Sequence, residues 1–96
     1  MPDVSSARAP IDPSRLQAMM DELSAFGGGP DGSMTRLALS KEDGAARDWL
    51  GRWFARNGFA QSVDVIGNQF GTLSVAGANA PVVMVGSHLD LSLIHI

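Results

Sequence analysis

Cysteine is absent from this chain of 96 residues. Its absence excludes a disulfide framework and a thiolate zinc cluster, so a bound metal has to rely on His, Asp and Glu. A long apolar run is missing too. Met1 to Pro10 hold no apolar signal segment, and nothing later approaches the ~18 residues that a membrane-spanning helix needs. The third absence is a basic stripe. Ten acidic and seven basic residues are spread along the chain, for a net charge of -3, which leaves no surface for tracking phosphates and argues against nucleic acid as a partner. The expectation is a soluble, untargeted, cytoplasmic protein without nucleic-acid or membrane partners.

What is present has globular composition. With 45% hydrophobic and 18% charged residues, the chain suffices for at most one small domain. Residues 1–11 are polar and punctuated by proline, and read as a flexible N-terminal segment. Asp12-Pro13 then reads as N-cap and first helical position, and Leu16, Met19, Met20, Leu23 and Phe26 follow at helical spacing until Gly27. Gly27 to Gly32 is a loop by composition. Ser33 to Leu39 lead into a second helix, in which Ser40 and Asp43 stand at capping-box spacing. Ala46, Trp49, Leu50, Trp53 and Phe54 form its buried stripe, and Gly58 is the stop.

The period then changes from helical to alternating. Val63 and Val65 lie on one side of a strand, Gly67-Asn68 make a tight turn, and Phe70 to Val75 return, which predicts a β-hairpin. Gly77 to Ala80 is another turn. Pro81 to Val85 is a short apolar strand of the kind buried on both faces in a mostly parallel sheet. The expected fold class is therefore α/β, with two helices, a β-hairpin and a buried strand of a mixed sheet, and residues 12–90 form one piece of a single domain.

The run Val82-Val83-Met84-Val85 leads straight into Gly86-Ser87-His88-Leu89-Asp90. A buried strand that delivers a His and a carboxylate at its C-terminal end looks like half of a metal site. Open α/β sheets bind ligands beyond the carboxyl ends of their strands, and neutral imidazole is the commonest metal ligand. Side chains alternate across a strand, so His88 and Asp90 project to one side and Ser87 and Leu89 to the other. A ligating imidazole normally donates its second N–H to a carboxylate, which makes Asp90 the natural orienter of His88. A bare His-x-Asp is more often a strand-end histidine satisfied by its nearest carboxylate without a metal, so the pair alone is weak evidence.

The other chemistry-bearing residues have plainer readings. Ser87 cannot easily bond His88 from the opposite face, and Gly86-Ser87 lacks the Gly-x-Ser-x-Gly elbow, which argues against a serine hydrolase. Gly27 to Gly32 follows a helix and has no Lys-Ser/Thr ending, so it is a flexible connector rather than a phosphate loop. Trp49 and Trp53 belong to the core, and Glu42 and Asp43 complement the helix dipole. Thr35 and Arg36 carry polar groups with no obvious local use. His95 receives no role.

Taken in order, these residues resemble a known family. Thr35-Arg36-Leu37-Ala38-Leu39-Ser40, Glu42-Asp43, Ala46-Arg47-Asp48-Trp49-Leu50, Asp64, Gly67-Asn68, Phe70-Gly71 and Gly86-Ser87-His88-Leu89-Asp90 resemble the N-terminal region of the N-carbamoyl-L-amino acid and allantoate amidohydrolases. That family lies within the M20 group of dinuclear metallohydrolases. The resemblance is nearly continuous from about Arg15 to Asp90 and far more specific than His-x-Asp. It implies a two-domain, homodimeric enzyme that uses a pair of zinc or manganese ions to hydrolyse a carbamoyl or ureido C–N bond of a small-molecule substrate, releasing ammonia and carbon dioxide. By the same resemblance, His88 is the first metal ligand and Asp90 its orienting carboxylate. The family's bridging Asp, catalytic Glu, remaining ligands and substrate-carboxylate Arg all lie beyond Asp90, so none is carried over.

The end of the chain departs from that pattern. After Gly-Ser-His-Leu-Asp the family usually continues with Thr-Val-Pro or similar and a Gly-rich run, whereas this chain reads Leu91-Ser92-Leu93-Ile94-His95-Ile96. Residues 91–96 resemble an unrelated read-through or sequencing artefact. The expectation is a truncated part of an amidohydrolase, inactive by itself. Two alternatives stand beside it: a fragment of an M20 aminoacylase or dipeptidase, and a small α/β interaction module with no metal.

Overall fold

Asp12-Pro13 starts the first helix as the cap chemistry requires. The Asp12 carboxylate accepts from the main-chain N–H groups of Ser14 and Arg15 at 3.1 and 3.2 Å, which satisfies two of the donors a helix start leaves orphaned. The computed structural model describes residues 10–92, so His95 and most of the expected N-terminal segment lie outside the described residues. Within them the chain runs α1 (Pro13–Ser24), β1 (Thr35–Arg36), α2 (Lys41–Arg56), β2 (Ala60–Val63), β3 (Gln69–Thr72) and β4 (Leu91–Ser92). The architecture is small and mixed α/β, with two antiparallel two-stranded sheets, β1–β4 and β2–β3.

The glycine-rich connector is more ordered than its composition implies. Gly28 bridges to Met34, Gly29 N–H donates to the Ser33 carbonyl at 2.8 Å, and Thr35 N–H donates to the Gly27 carbonyl at 2.9 Å. The loop folds back as a tight hairpin and leads directly into β1. Gly27 is required at its base, where φ is +97° and a Cβ would overlap the Thr35 carbonyl.

Both ends of α2 follow from sequence. Ser40 is the N-cap and its hydroxyl accepts from Asp43 N–H at 3.1 Å, while the Asp43 carboxylate accepts from Leu39 N–H at 3.1 Å. At the other end Gly58 takes φ +79° and Phe59 N–H donates to the Phe54 carbonyl at 3.0 Å, which is a Schellman closure. Its apolar seal is aromatic: Trp53, Phe54 and Phe59 pack mutually, edge-on or tilted, with ring centroids 5.3–5.9 Å apart. Ala46 and Trp49 are the buried hydrophobic residues of the described chain. The apolar stripe of α1 is less covered than its spacing suggests, since no α1 residue is buried.

The hairpin forms, but with a wider loop than a Gly-Asn turn. Ala60 to Val63 pair with Gln69 to Thr72, and Val65 and Ile66 stand exposed in the connection. Asp64 organises that loop, accepting from Ile66 N–H at 3.1 Å, from Asn68 N–H at 2.8 Å and from Asn68 Nδ2 at 2.8 Å. This is an Asx-type closure, and it displaces the simple two-residue turn.

The expected buried strand is overturned. Pro81 to Val85 pair with no strand among the described residues, and Val82 to Val85 are 75–92% exposed. An apolar run becomes a doubly buried strand only where neighbours supply ladder partners on its edges and helices on its faces, and the described residues bring neither to it. Nor is any described strand parallel to its neighbour.

Candidate functional site

His88 and Asp90 lie on the stretch without regular secondary structure that follows Val82–Val85. The structure brings them together. His88 Nδ1 lies 2.7 Å from the main-chain carbonyl oxygen of Asp90 and 3.6 Å from its carboxylate Oδ1. A carbonyl oxygen only accepts, so in this bond Nδ1 carries the proton, and in the neutral ring Nε2 then keeps its lone pair. The nearer orienting group is thus the main chain of Asp90, with its carboxylate farther out on the same nitrogen. Both side chains are open to solvent, 72% exposed for His88 and 52% for Asp90.

Whether these residues suit a metal follows from the donors. An imidazole whose Nδ1–H is committed to an oxygen presents Nε2 in the form that binds a cation. His88 therefore fits as one ligand. Among the described residues no group of three or more His, Asp or Glu side chains converges, so they do not by themselves complete the three or four protein ligands of a closed or catalytic zinc site.

The residue that sequence reasoning left without a role anchors this stretch. Arg36 is 4% exposed. Its Nε–H donates to the Leu89 carbonyl at 2.8 Å, and Nη1 donates to the carbonyls of Leu23 and Phe26 at 2.8 and 2.9 Å. Leu23 lies in the last turn of α1 and Phe26 just beyond its C-cap, Ala25, where the helix dipole concentrates partial negative charge. A buried cation is tolerated there because neutral carbonyls satisfy its donors. Nothing near Arg36 in the sequence announces these partners, which lie 10, 13 and 53 positions away.

Other carboxylates serve turns and caps. Asp12, Asp31 and Asp64 are each held below the ordinary aspartate range, chiefly by the side chains of Ser14, Ser33 and Asn68 respectively. Trp49 Nε1–H donates to Glu22 Oε2 at 3.0 Å and ties α2 to α1. Arg47 Nη2 donates to the Gly67 carbonyl at 2.6 Å and ties α2 to the hairpin loop. No helix among the described residues is long and apolar enough to cross a membrane.

Comparison with known proteins adds a direct line. The chain is 45% identical over 91 residues to a provisionally named hydrolase of Mycolicibacterium smegmatis, a match that takes in 92% of this chain and 20% of that protein. It is 36% identical over 80 residues to the ureidoglycolate hydrolase of Arabidopsis thaliana, covering 83% of this chain and 17% of the relative. It is 35% identical over 80 residues to the N-carbamoyl-L-amino-acid amidohydrolase of Pseudomonas sp. strain NS671, covering 83% and 19%. The chain thus spans about one fifth of the length of these relatives. No family model matches it, and no solved structure does.

Proposed function

Because the chain belongs to the family that holds the N-carbamoyl-L-amino acid amidohydrolases, allantoate amidohydrolase and the ureidoglycolate hydrolases, we propose that it forms part of a metal-dependent amidohydrolase. The proposed reaction is hydrolysis of the carbamoyl or ureido C–N bond of an N-carbamoyl-L-amino acid or of allantoate. The observation that carries this reading is the sequence match over 83% of the chain to a relative named for that activity.

Hydrolysis adds one water across the carbamoyl group, so that the amine keeps its nitrogen and ammonia and carbon dioxide leave. A bound pair of zinc or manganese ions would supply a water of lowered pKa and would stabilise charge on the carbonyl oxygen. His88 offers Nε2 as one ligand. The Asp90 carbonyl, 2.7 Å from Nδ1, fixes the tautomer that leaves Nε2 available, and the carboxylate at 3.6 Å adds negative charge on the same side of the ring. The remaining ligands and the proton-transferring groups are assigned to the part of the enzyme that this chain does not span, and the complete enzyme is read as a homodimer.

A chimaera tests this reading. The matched stretch of 80 residues in the Pseudomonas amidohydrolase is replaced by the corresponding residues of this chain, and ammonia release from N-carbamoyl amino acids is followed with zinc or manganese added. The chimaera is expected to be active, and His88→Ala within it to lose both bound metal and turnover. A folded, active chimaera in which His88→Ala keeps its metal content and rate would overturn the assignment.

A further inference from the structure

The orientation of His88 has to come from somewhere other than packing, because its ring is mostly in solvent. Its hydrogen bond is to the Asp90 carbonyl, with the Asp90 carboxylate farther out at 3.6 Å, so the ring is placed chiefly by that one carbonyl oxygen. The oxygen belongs to a stretch from residue 81 to residue 90 that has no regular secondary structure. Two interactions fix the main chain on either side of it, and both come from Arg36. On one side the Arg36 Nε–H holds the Leu89 carbonyl at 2.8 Å. On the other the Arg36 main chain pairs with Leu91 in the β1–β4 ladder.

From this bracket we propose that Arg36 is a positioning residue for His88. The guanidinium is fixed by the carbonyls of Leu23, in the last turn of α1, and Phe26, just beyond it, it fixes the Leu89–Asp90 peptide, and that peptide sets where the Asp90 carbonyl meets His88 Nδ1. The end of α1 is thereby connected to the candidate ligand through one buried cation. Lysine cannot substitute, because a single ammonium on a flexible stem does not reproduce Nε and Nη1 donors held in one plane and aimed at separate oxygens. The functional weight of the bracket rests on the reading of His88 as a metal ligand, whereas the bracket itself is a property of the metal-free chain.

The experiment uses the isotopically labelled 96-residue chain without metal or substrate. It is run at about pH 8, and the two tautomers of the neutral ring are compared. Nitrogen chemical shifts, assigned by their loss in His88→Gln, report the ratio of the Nδ1–H to the Nε2–H form. In the unsubstituted chain the Nδ1–H form is expected to dominate. Arg36→Lys is expected to lower that ratio by roughly fivefold, the factor that the net worth of one hydrogen bond makes in a two-state population. Trp49→Phe serves as the structural control: it severs the Glu22 link between the helices and leaves the bracket intact, so the chain loses stability while the ratio stays.

An Arg36→Lys chain that is folded with an unchanged ratio overturns the proposal. So does a Trp49→Phe chain whose ratio falls as far. Should Arg36→Lys fail to fold, the unsubstituted chain decides: scalar coupling between Arg36 Nε and the Leu89 carbonyl carbon supports the bracket, and its absence with fast Nε–H exchange overturns it. None of these readouts involves metal, so they fail independently of the chimaera described above.

Discussion

Gly71 lies against the ring of Phe54 so closely that a Cβ on residue 71 would overlap the ring carbons. The contact seats the β2–β3 hairpin on α2 and extends the aromatic seal of Trp53, Phe54 and Phe59 onto the sheet. Gly71→Ala is expected to destabilise the chain by about 1–3 kcal/mol, the usual cost of forcing an extra carbon into a packed contact. Urea unfolding followed by far-ultraviolet circular dichroism measures it. Combining Gly71→Ala with Phe54→Leu should cost less than the sum of the two single changes, because the smaller side chain vacates the space. Strict additivity would show that the overlap is relieved elsewhere.

Asp64 closes the hairpin loop, and its acidity gives the loop a pH dependence. The Asn68 side chain is the largest cause holding its pKa below the ordinary value of 3.8, with main-chain N–H groups of the loop adding to it. A carboxyl whose folded-state pKa is depressed binds its proton less readily than in the unfolded chain. The stabilisation is therefore complete above 3.8 and is lost as pH falls through the folded value. Thermal melts of the unsubstituted chain should drop more steeply on the acid side than those of Asp64→Asn. Parallel acid limbs for the two chains would show that Asp12 and Asp31, shifted in the same direction, carry the whole effect.

The elements legible in the sequence are those whose causes are local. Asp12-Pro13 and Ser40-x-x-Asp43 announce helix starts because a cap is made within three residues. Gly58 announces the end of α2 because only a left-handed residue closes it. What was not legible depends on distant partners. Pro81–Val85 has the composition of a buried strand, but burial is conferred by neighbours that composition does not name. Strand β1 is two residues long and has no period to read. Within the candidate site, the proximity of His88 to Asp90 follows from spacing. The preference of Nδ1 for the main-chain oxygen does not, since every residue carries such an oxygen and only the turn of the backbone selects one. Arg36 is the clearest case: its partner carbonyl at Leu89 is 53 positions away.

Metal binding by this chain is expected to be weak. The described residues bring a single imidazole to the candidate site and no third donor, while a tight zinc site draws on three or four protein ligands. Titration of zinc into the chain by calorimetry should give a dissociation constant above the micromolar range, and incubation with N-carbamoyl amino acids should release no ammonia beyond a His88→Ala control. Submicromolar binding that survives His88→Ala would place a metal elsewhere in the chain. Submicromolar binding lost with His88 would show that more of the donor set is present than the described residues supply.

The two oxygens that face His88 Nδ1 make different predictions for Asp90. Were the carboxylate the principal orienter, replacing it would approach the ~10–100-fold loss in metal affinity or activity typical of the groups that orient a ligating histidine. The carbonyl at 2.7 Å is the nearer acceptor, with the carboxylate at 3.6 Å, and Asp90→Asn keeps that carbonyl. In the active chimaera, Asp90→Asn should therefore lose about tenfold or less, while His88→Ala, which removes the ligand itself, should abolish turnover. In the metal-free chain, Asp90→Asn should leave the Nδ1–H tautomer of His88 dominant. A chimaera whose metal content and rate fall as far with Asp90→Asn as with His88→Ala would reverse this ranking. It would mean that the carboxylate moves onto Nδ1, or onto the metal itself, once the site is complete.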